Sequence, residues 1–379
     1  LASTLTLSLI PNSNRGFLNI KKQNQSSRRQ FISTAAVGAA ILSGAPMGFT
    51  ASRTSDEVIV GEGEYKFRVR HDWPALPDKF SWQTTHNVAV DKSGNLYVIH
   101  EGRKEQQDHP SIFVFDAEGK FVRAFGSQFR GGHGIEVRDE GGEEFLDVAA
   151  YQQVKSFAKM TRTGETVWYR KAPMESGVYA AGEDTSTSAT WNRKGFLPTN
   201  FAFLDDGGFL LADGYGSFHI HRYDKDANWI SSFGGAEDGE GKFATAHGLW
   251  VDKRAGREPS IVVTDRAHNT LQIFDVDGTY LETLTGFGLP ANIDTWKNLM
   301  LVPELKARVT LLNEKNEVVA QLGAAVDRLG EVKDLRAKLD QWLAGQFVHP
   351  HDACFAANGD IFVAEWVGTG RVSKLERVS

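Results

Sequence analysis

The sequence predicts an all-β fold, a six-bladed β-propeller with an N-terminal strand closing the last blade, and three observations carry that prediction. The first is self-similarity: "HNVAVDKSGNLYVIHEG", "TNFAFLDDGGFLLADGYG", "HGLWVDKRAGREPSIVVTDRAHNTLQIFDVDGTYLETL" and "HDACFAANGDIFVAEWVGTGRVSKLERV" share one order. An apolar strand, an Asp/Gly/Asn turn and a second apolar strand ending in an acidic or aromatic residue follow one another, with the turn chemistry of short hairpins. The second is spacing. Copies begin near residues 86, 133, 199, 247, 291 and 351, a step of about 50 residues that suits four-stranded blades of the NHL or kelch kind. The third is the last copy, which supplies three strands, while "EYKFRVRHDW", Glu64 to Trp73, alternates well enough to supply a fourth. A two-sheet sandwich would not give so long and even a repeat.

The elements follow in chain order. Residues 1–51 read as a twin-arginine export signal, with Arg28 and Arg29 ahead of the Ala-rich run from Phe31 to Pro46, a run too short and too rich in small residues to span a membrane. This points to a bacterial periplasmic or extracellular protein. Residues 52–63 read as a linker and 64–379 as the propeller. Two long insertions, Met174 to Phe196 and Asp327 to Ala344, precede inner strands. In the second, Leu329, Val332, Leu335, Leu339 and Trp342 lie at near-helical spacing, which predicts an amphipathic helix over 327–344. Insertions on one face of a scaffold either shape a binding site or decorate the packing.

Composition narrows the function. The net charge of −6 and the absence of a long basic run give no electrostatic reason to bind nucleic acid or, after signal cleavage, a membrane. A small-molecule or peptide substrate fits better, and oligomeric state is not encoded legibly. Cys354 is the single cysteine, so no intrachain disulfide forms.

The repeat register places His86, His133, Thr199, His247, Ala291 and His351 at the start of successive innermost strands. Four of the eleven histidines thus share one structural position at the mouth of the central channel. They read either as metal ligands or as channel-lining imidazoles bonded to water. His133, His247 and His351 come from alternate blades and approach the axis from three directions, as three ligands of a tetrahedral zinc with one open position would. His349, two residues upstream, is a neighbour of the site. The ends of the second strands, His100 and Glu101, Tyr151, Tyr215, Asp265 and Arg266, Glu304, and Glu365 with Trp366, return to the same face as a candidate catalytic shell.

These motifs resemble the lyase domain of peptidylglycine α-amidating enzymes, an NHL-type six-bladed propeller that cleaves peptidyl-α-hydroxyglycine to a peptide amide and glyoxylate. The similarity extends over nearly all of 64–379, without a copper monooxygenase stretch. His133 in "GHGIEV", His247 in "AHGLWVD" and His351 in "HPHDACF" match the family's zinc ligands. Tyr215 in "ADGYG" matches its catalytic tyrosine and Arg266 in "VTDRAHNTLQIF" an active-site arginine, which would hold a carboxylate. Asp352 matches a calcium-binding carboxylate, with carbonyls of Val88 and Ile135 as partners, so the resemblance implies Zn2+ and Ca2+. The sequence departs at "VIHEGRK", where Glu101 stands in place of a family arginine and Arg103 lies two residues on. His349 replaces a methionine, Gly216 a cysteine, and His86 is an additional imidazole. The expected function is an exported zinc-dependent carbon–nitrogen lyase. A non-catalytic propeller binding a protein or glycan, or a metal-dependent hydrolase or lactonase, would fit the same repeat.

Overall fold

The hairpin turns show why this chain folds blade by blade. In the turn after Phe274 the Asp275 carboxylate accepts the backbone N–H groups of Asp277 and Thr279 (3.0 and 2.8 Å), and Gly278 takes the left-handed conformation at φ 91°. Asp91, Asp116, Asp224 and Asn313 make the same pair of bonds to the residues two and four ahead. The Asx side chain thereby substitutes for a backbone acceptor and fixes hairpin register.

The protein is described by a computed structural model covering residues 57–71, 73–102 and 105–378. It is an all-β six-bladed propeller. Blades one to five are four-stranded antiparallel sheets: β3 (Thr85–Val90) to β6 (Phe121–Phe125), β7 (Gly132–Glu140) to β10 (Thr166–Arg170), β11 (Phe201–Phe203) to β14 (Trp229–Gly234), β15 (Ala246–Asp252) to β18 (Tyr280–Leu284), and β19 (Asp294–Trp296) to β22 (Val318–Leu322). The sixth contains β23 (Pro350–Phe355), β24 (Ile361–Glu365) and β25 (Arg371–Arg377), completed from the other end of the chain by β2 (Phe67–Arg70), which pairs with β25. A fifth strand, β1 (Ile59–Val60), pairs outside β2, so part of the stretch expected to be linker belongs to the last sheet. The expected signal, residues 1–51, lies outside the described residues.

Packing follows from layer position. Second and third strands such as β4 (Leu96–His100) and β5 (Ile112–Phe115) are buried throughout, because both their faces meet neighbouring blades. Outer strands such as β6 are partly exposed. Val88, Leu96 and Phe113 pack on Phe362, Ala364 and Val372 across the junction of blades one and six. Phe67 and Val69 join Leu301, Leu311, Val363 and Leu375 at the next junction. The ring is therefore closed by apolar burial as well as by strand pairing.

The second insertion differs from the expected helix. Only Val326–Glu331 is α-helical, followed by single 3-10 turns at Leu335–Ala337 and Leu339–Gln341. Gly330 weakens the helix near its end and Asp334 turns left-handed at φ 55°. The apolar positions still converge: Leu329, Val332, Leu335 and Trp342 pack with Val348 and Val367, whereas Leu339 is exposed.

Candidate metal and active site

Each histidine at the channel mouth sits in an irregularity of its inner strand. The pairing register shifts between Thr85 and Asn87, Gly132 and Ile135, Ala246 and Leu249, and Pro350 and Asp352. A bulge bends the strand and re-aims one side chain, and here it turns His86, His133, His247 and His351 onto the axis. The four rings are buried. Successive centroids around the ring are 4.7 Å apart, and His133 and His351 are 4.9 Å apart across it.

Three of the four are oriented identically. His133 Nδ1 bonds the Thr199 carbonyl (2.9 Å), His247 Nδ1 that of Ala291 (2.6 Å) and His351 Nδ1 that of His86 (3.0 Å). The acceptor is in every case the corresponding residue of the next blade. Such bonds put the proton on Nδ1 and leave the Nε2 lone pair free. Burial first, then neighbouring cations and imidazoles, hold all three well below the usual histidine range, so they are neutral, as metal ligands must be. Among the described residues His351 Nε2 has no partner, and neither nitrogen of His86 makes a hydrogen bond. His86 Nε2 lies 3.9 Å from Glu101 Oε2.

Ligand-capable nitrogens within 4.8 Å of one another belong to His86, His133 and His351, a buried triad able to hold a metal ion. His247 stands outside that set although its ring borders both His133 and His351. Its Nε2 meets the phenol of Tyr215 (2.8 Å), which also approaches His133 Nε2 (3.3 Å) and accepts from Arg266 Nη1 (3.1 Å). Burial raises the Tyr215 pKa while Arg266 opposes the shift. The fold therefore places His133, His247, His351, Tyr215 and Arg266 side by side, with His86 as a fourth member of the ring.

Other expected residues are placed differently. His349 turns aside, with Nδ1 on the Leu305 carbonyl (2.6 Å). Arg103 lies outside the described residues. Four residues of the supposed catalytic shell hold backbone instead. Asp265 accepts Ala244 N–H (2.9 Å), Glu365 accepts Val348 N–H (2.7 Å), Glu304 accepts Gly288 N–H, and His100 accepts Gln83 N–H (3.2 Å). All four side chains are fully buried and pin the loop that enters the inner strand. Arg371 also pairs with Glu365, and Arg308 with Glu304. Asp213 does the same through Leu197 N–H (2.7 Å), and holds the Tyr215 loop through Gly216 and Ser217 N–H (3.1 and 2.7 Å). Asp213 was missed; its signal was the acidic residue closing the second strand of blade three.

Farther along the channel the Asp352 carboxylate accepts Val88 N–H (2.8 Å) and Asn292 Nδ2–H (2.6 Å). It lines a cavity of about 140 Å³ with Glu136, Asn292 and Asp294. Burial raises all three carboxyl groups, Asp294 and Asp352 to about 7 and Glu136 well above its usual range. On the histidine face, a cleft of about 580 Å³ is lined by Arg130, Gln152, Gln153 and Trp191. Trp191, from the first insertion, packs against Tyr151 and Tyr215 (5.7 and 5.6 Å).

No family model matches the chain. It is 25% identical over 335 residues to peptidyl-alpha-hydroxyglycine alpha-amidating lyase 1 of Drosophila melanogaster, an alignment covering 77% of this chain and 57% of that protein's length. The chain is thus a distant relative of that lyase, matched over little more than half of it. Among solved structures, virginiamycin B lyase of Staphylococcus aureus superposes with a TM-score of 0.51 at 11% identity, covering 82% of this chain and all of the other. A Bacteroides thetaiotaomicron protein of unknown function gives 0.54 at 9% identity, covering 81% and 75%. These two likenesses speak to the fold.

Proposed function

We propose that this protein is a zinc-dependent carbon–nitrogen lyase that cleaves a carbinolamide of the peptidyl-α-hydroxyglycine type. The observation that carries the proposal is the Tyr215 phenol, held by Arg266 against Nε2 of two imidazoles in a buried histidine ring. The similarity to an amidating lyase supports the substrate class. Neutral imidazoles tied at Nδ1, with Nε2 turned to the axis, are a donor set that fits zinc. His133, His247 and His351 would hold it. Zinc there would acidify and polarise the substrate hydroxyl.

The chain's own residues handle the proton. Cleavage of R–CO–NH–CH(OH)–COO⁻ removes the hydroxyl proton, forms the aldehyde of glyoxylate, breaks the C–N bond and returns a proton to the leaving amide nitrogen. Tyr215 is protonated at neutral pH and can donate to that nitrogen, then recover a proton from the hydroxyl, so the enzyme is unchanged over a turnover. Arg266 stabilises the transient phenolate. Trp191 and Tyr151 cover the phenol and limit access of water.

The same reading includes export by the twin-arginine route and calcium at Asp352. The three buried carboxyl groups around the 140 Å³ cavity form an oxygen-rich set suited to a hard cation. The test is turnover of N-benzoyl-α-hydroxyglycine by the zinc-loaded protein, followed as glyoxylate. His247→Ala should lose both zinc and turnover, and a variant that keeps both would sink the assignment.

A further inference from the structure

We propose that Arg336, carried by the insertion between blades five and six, is the residue that binds the substrate carboxylate. This deepens the lyase reading and rests on it.

Arg336 is built to present a cation in one place. Its 3-10 turn is anchored by Leu335, which is buried against Val348 and Val367, and by Trp342 Nε1, which donates to the Leu335 carbonyl (2.8 Å). The guanidinium lies over the Trp366 ring, 3.4 Å from its centroid. Nε donates to the Trp366 carbonyl (2.9 Å) and Nη2 to Thr84 Oγ1 (3.1 Å). Among the described residues Nη1 makes no hydrogen bond and no carboxylate lies within 4.0 Å. Stacking and two hydrogen bonds therefore fix the plane of the fork while leaving an edge for a ligand.

The position is the rim of the histidine ring. Thr84 lies two residues before His86, and its carbonyl accepts Glu101 N–H (2.9 Å). Trp366 directly follows the second strand of blade six, and its ring borders His349 (6.1 Å). Partial burial lowers the Arg336 pKa and the Glu101 carboxylate opposes that shift, which agrees with a cation facing the site. Arg266 is less available, because its Nη1 already serves the Tyr215 phenol. A half-buried cation with no ion pair among the described residues, beside a channel whose proposed product is glyoxylate, implies an anionic ligand.

The test compares N-benzoyl-α-hydroxyglycine with its methyl ester in zinc-loaded wild type, Arg336→Gln and Arg336→Lys. Arg336→Gln should raise KM for the acid by about 10- to 100-fold while leaving kcat and the ester nearly unchanged. Arg336→Lys should recover part of the loss, since it restores charge without the planar fork. Equal losses for acid and ester, or no loss for either, would overturn the proposal. If wild type turns over neither compound, the lyase reading fails, and calorimetry with N-benzoylglycine decides the anion role separately. Binding by wild type that is lost in Arg336→Gln upholds it; equal binding, or none, rejects it.

Discussion

Tyr215 is where the chemistry concentrates. Its hydroxyl is the shared partner of His133, His247 and Arg266, and its backbone is held by a loop organised around the Asp213 carboxylate. Removing the hydroxyl should leave the imidazoles in place. Tyr215→Phe is therefore expected to retain zinc and lose about 10²- to 10⁴-fold in kcat, checked by metal content and glyoxylate release on the same preparation. His86 differs from the other three imidazoles in lacking a carbonyl to orient Nδ1. His86→Ala should accordingly retain metal that His247→Ala loses. The reverse order would assign the metal to His86, His133 and His351. Sequence position identified these side chains because a histidine recurring at one point of a repeat is legible without coordinates. Asp265, Glu304 and Glu365 were misread as candidate chemistry because a buried loop-pinning carboxylate and a catalytic one have the same residue type and spacing. Arg336 had no signal at all, since its place depends on how an irregular insertion folds back onto Trp366 and Thr84.

The turns and closing strands carry predictions about stability. Gly278 adopts φ 91°, and a Cβ there would meet the Phe233 ring at 2.7 Å, so Gly278→Ala should cost more than about 1 kcal/mol by urea denaturation. In the last blade His71 is neutral. Its Nδ1 bonds Ser373 Oγ (2.8 Å), and its Nε2 accepts Gly345 N–H (3.1 Å). Burial first, then Arg371, lower its pKa to about 4. Because the folded pKa lies below the unfolded value, the contribution is complete above pH ~6.5 and declines as pH falls toward 4, by up to about 3 kcal/mol. Replacing His71 with Gln should flatten that part of the pH dependence of the urea midpoint; an unchanged slope would refute the role. Strand and turn elements were legible because a two-residue period and Asx-Gly turns are local. The four bulges were not, because they are defined by the partner strand. The helix expected over 327–344 ended at Glu331, just past Gly330 and before the left-handed Asp334, although Leu329, Val332, Leu335 and Trp342 found the burial their spacing implied.

At the scale of the whole molecule, sixfold repetition does two things. It closes a ring from short hairpins, each burying its middle strands between neighbours, with the N-terminal strands completing the last sheet. It also brings six equivalent strand starts to one axis, so that the residues at a single repeat position together form a site that no blade holds alone. The alternate-blade pattern of His133, His247 and His351, each locked to the next blade's carbonyl, expresses that geometry. The number of blades and the face of the site were readable from the repeat. The partition of the channel into an imidazole ring and a separate carboxylate cavity around Asp352 became clear only when the inner strands were stacked side by side.

The most direct test of the central claim is the metal content of the purified protein, expressed without added metal, alongside His247→Ala. The account predicts about one zinc per chain, lost in the variant while the fold, followed by circular dichroism, is retained. A wild-type protein without zinc, or a variant that binds it as well as wild type, would contradict the account.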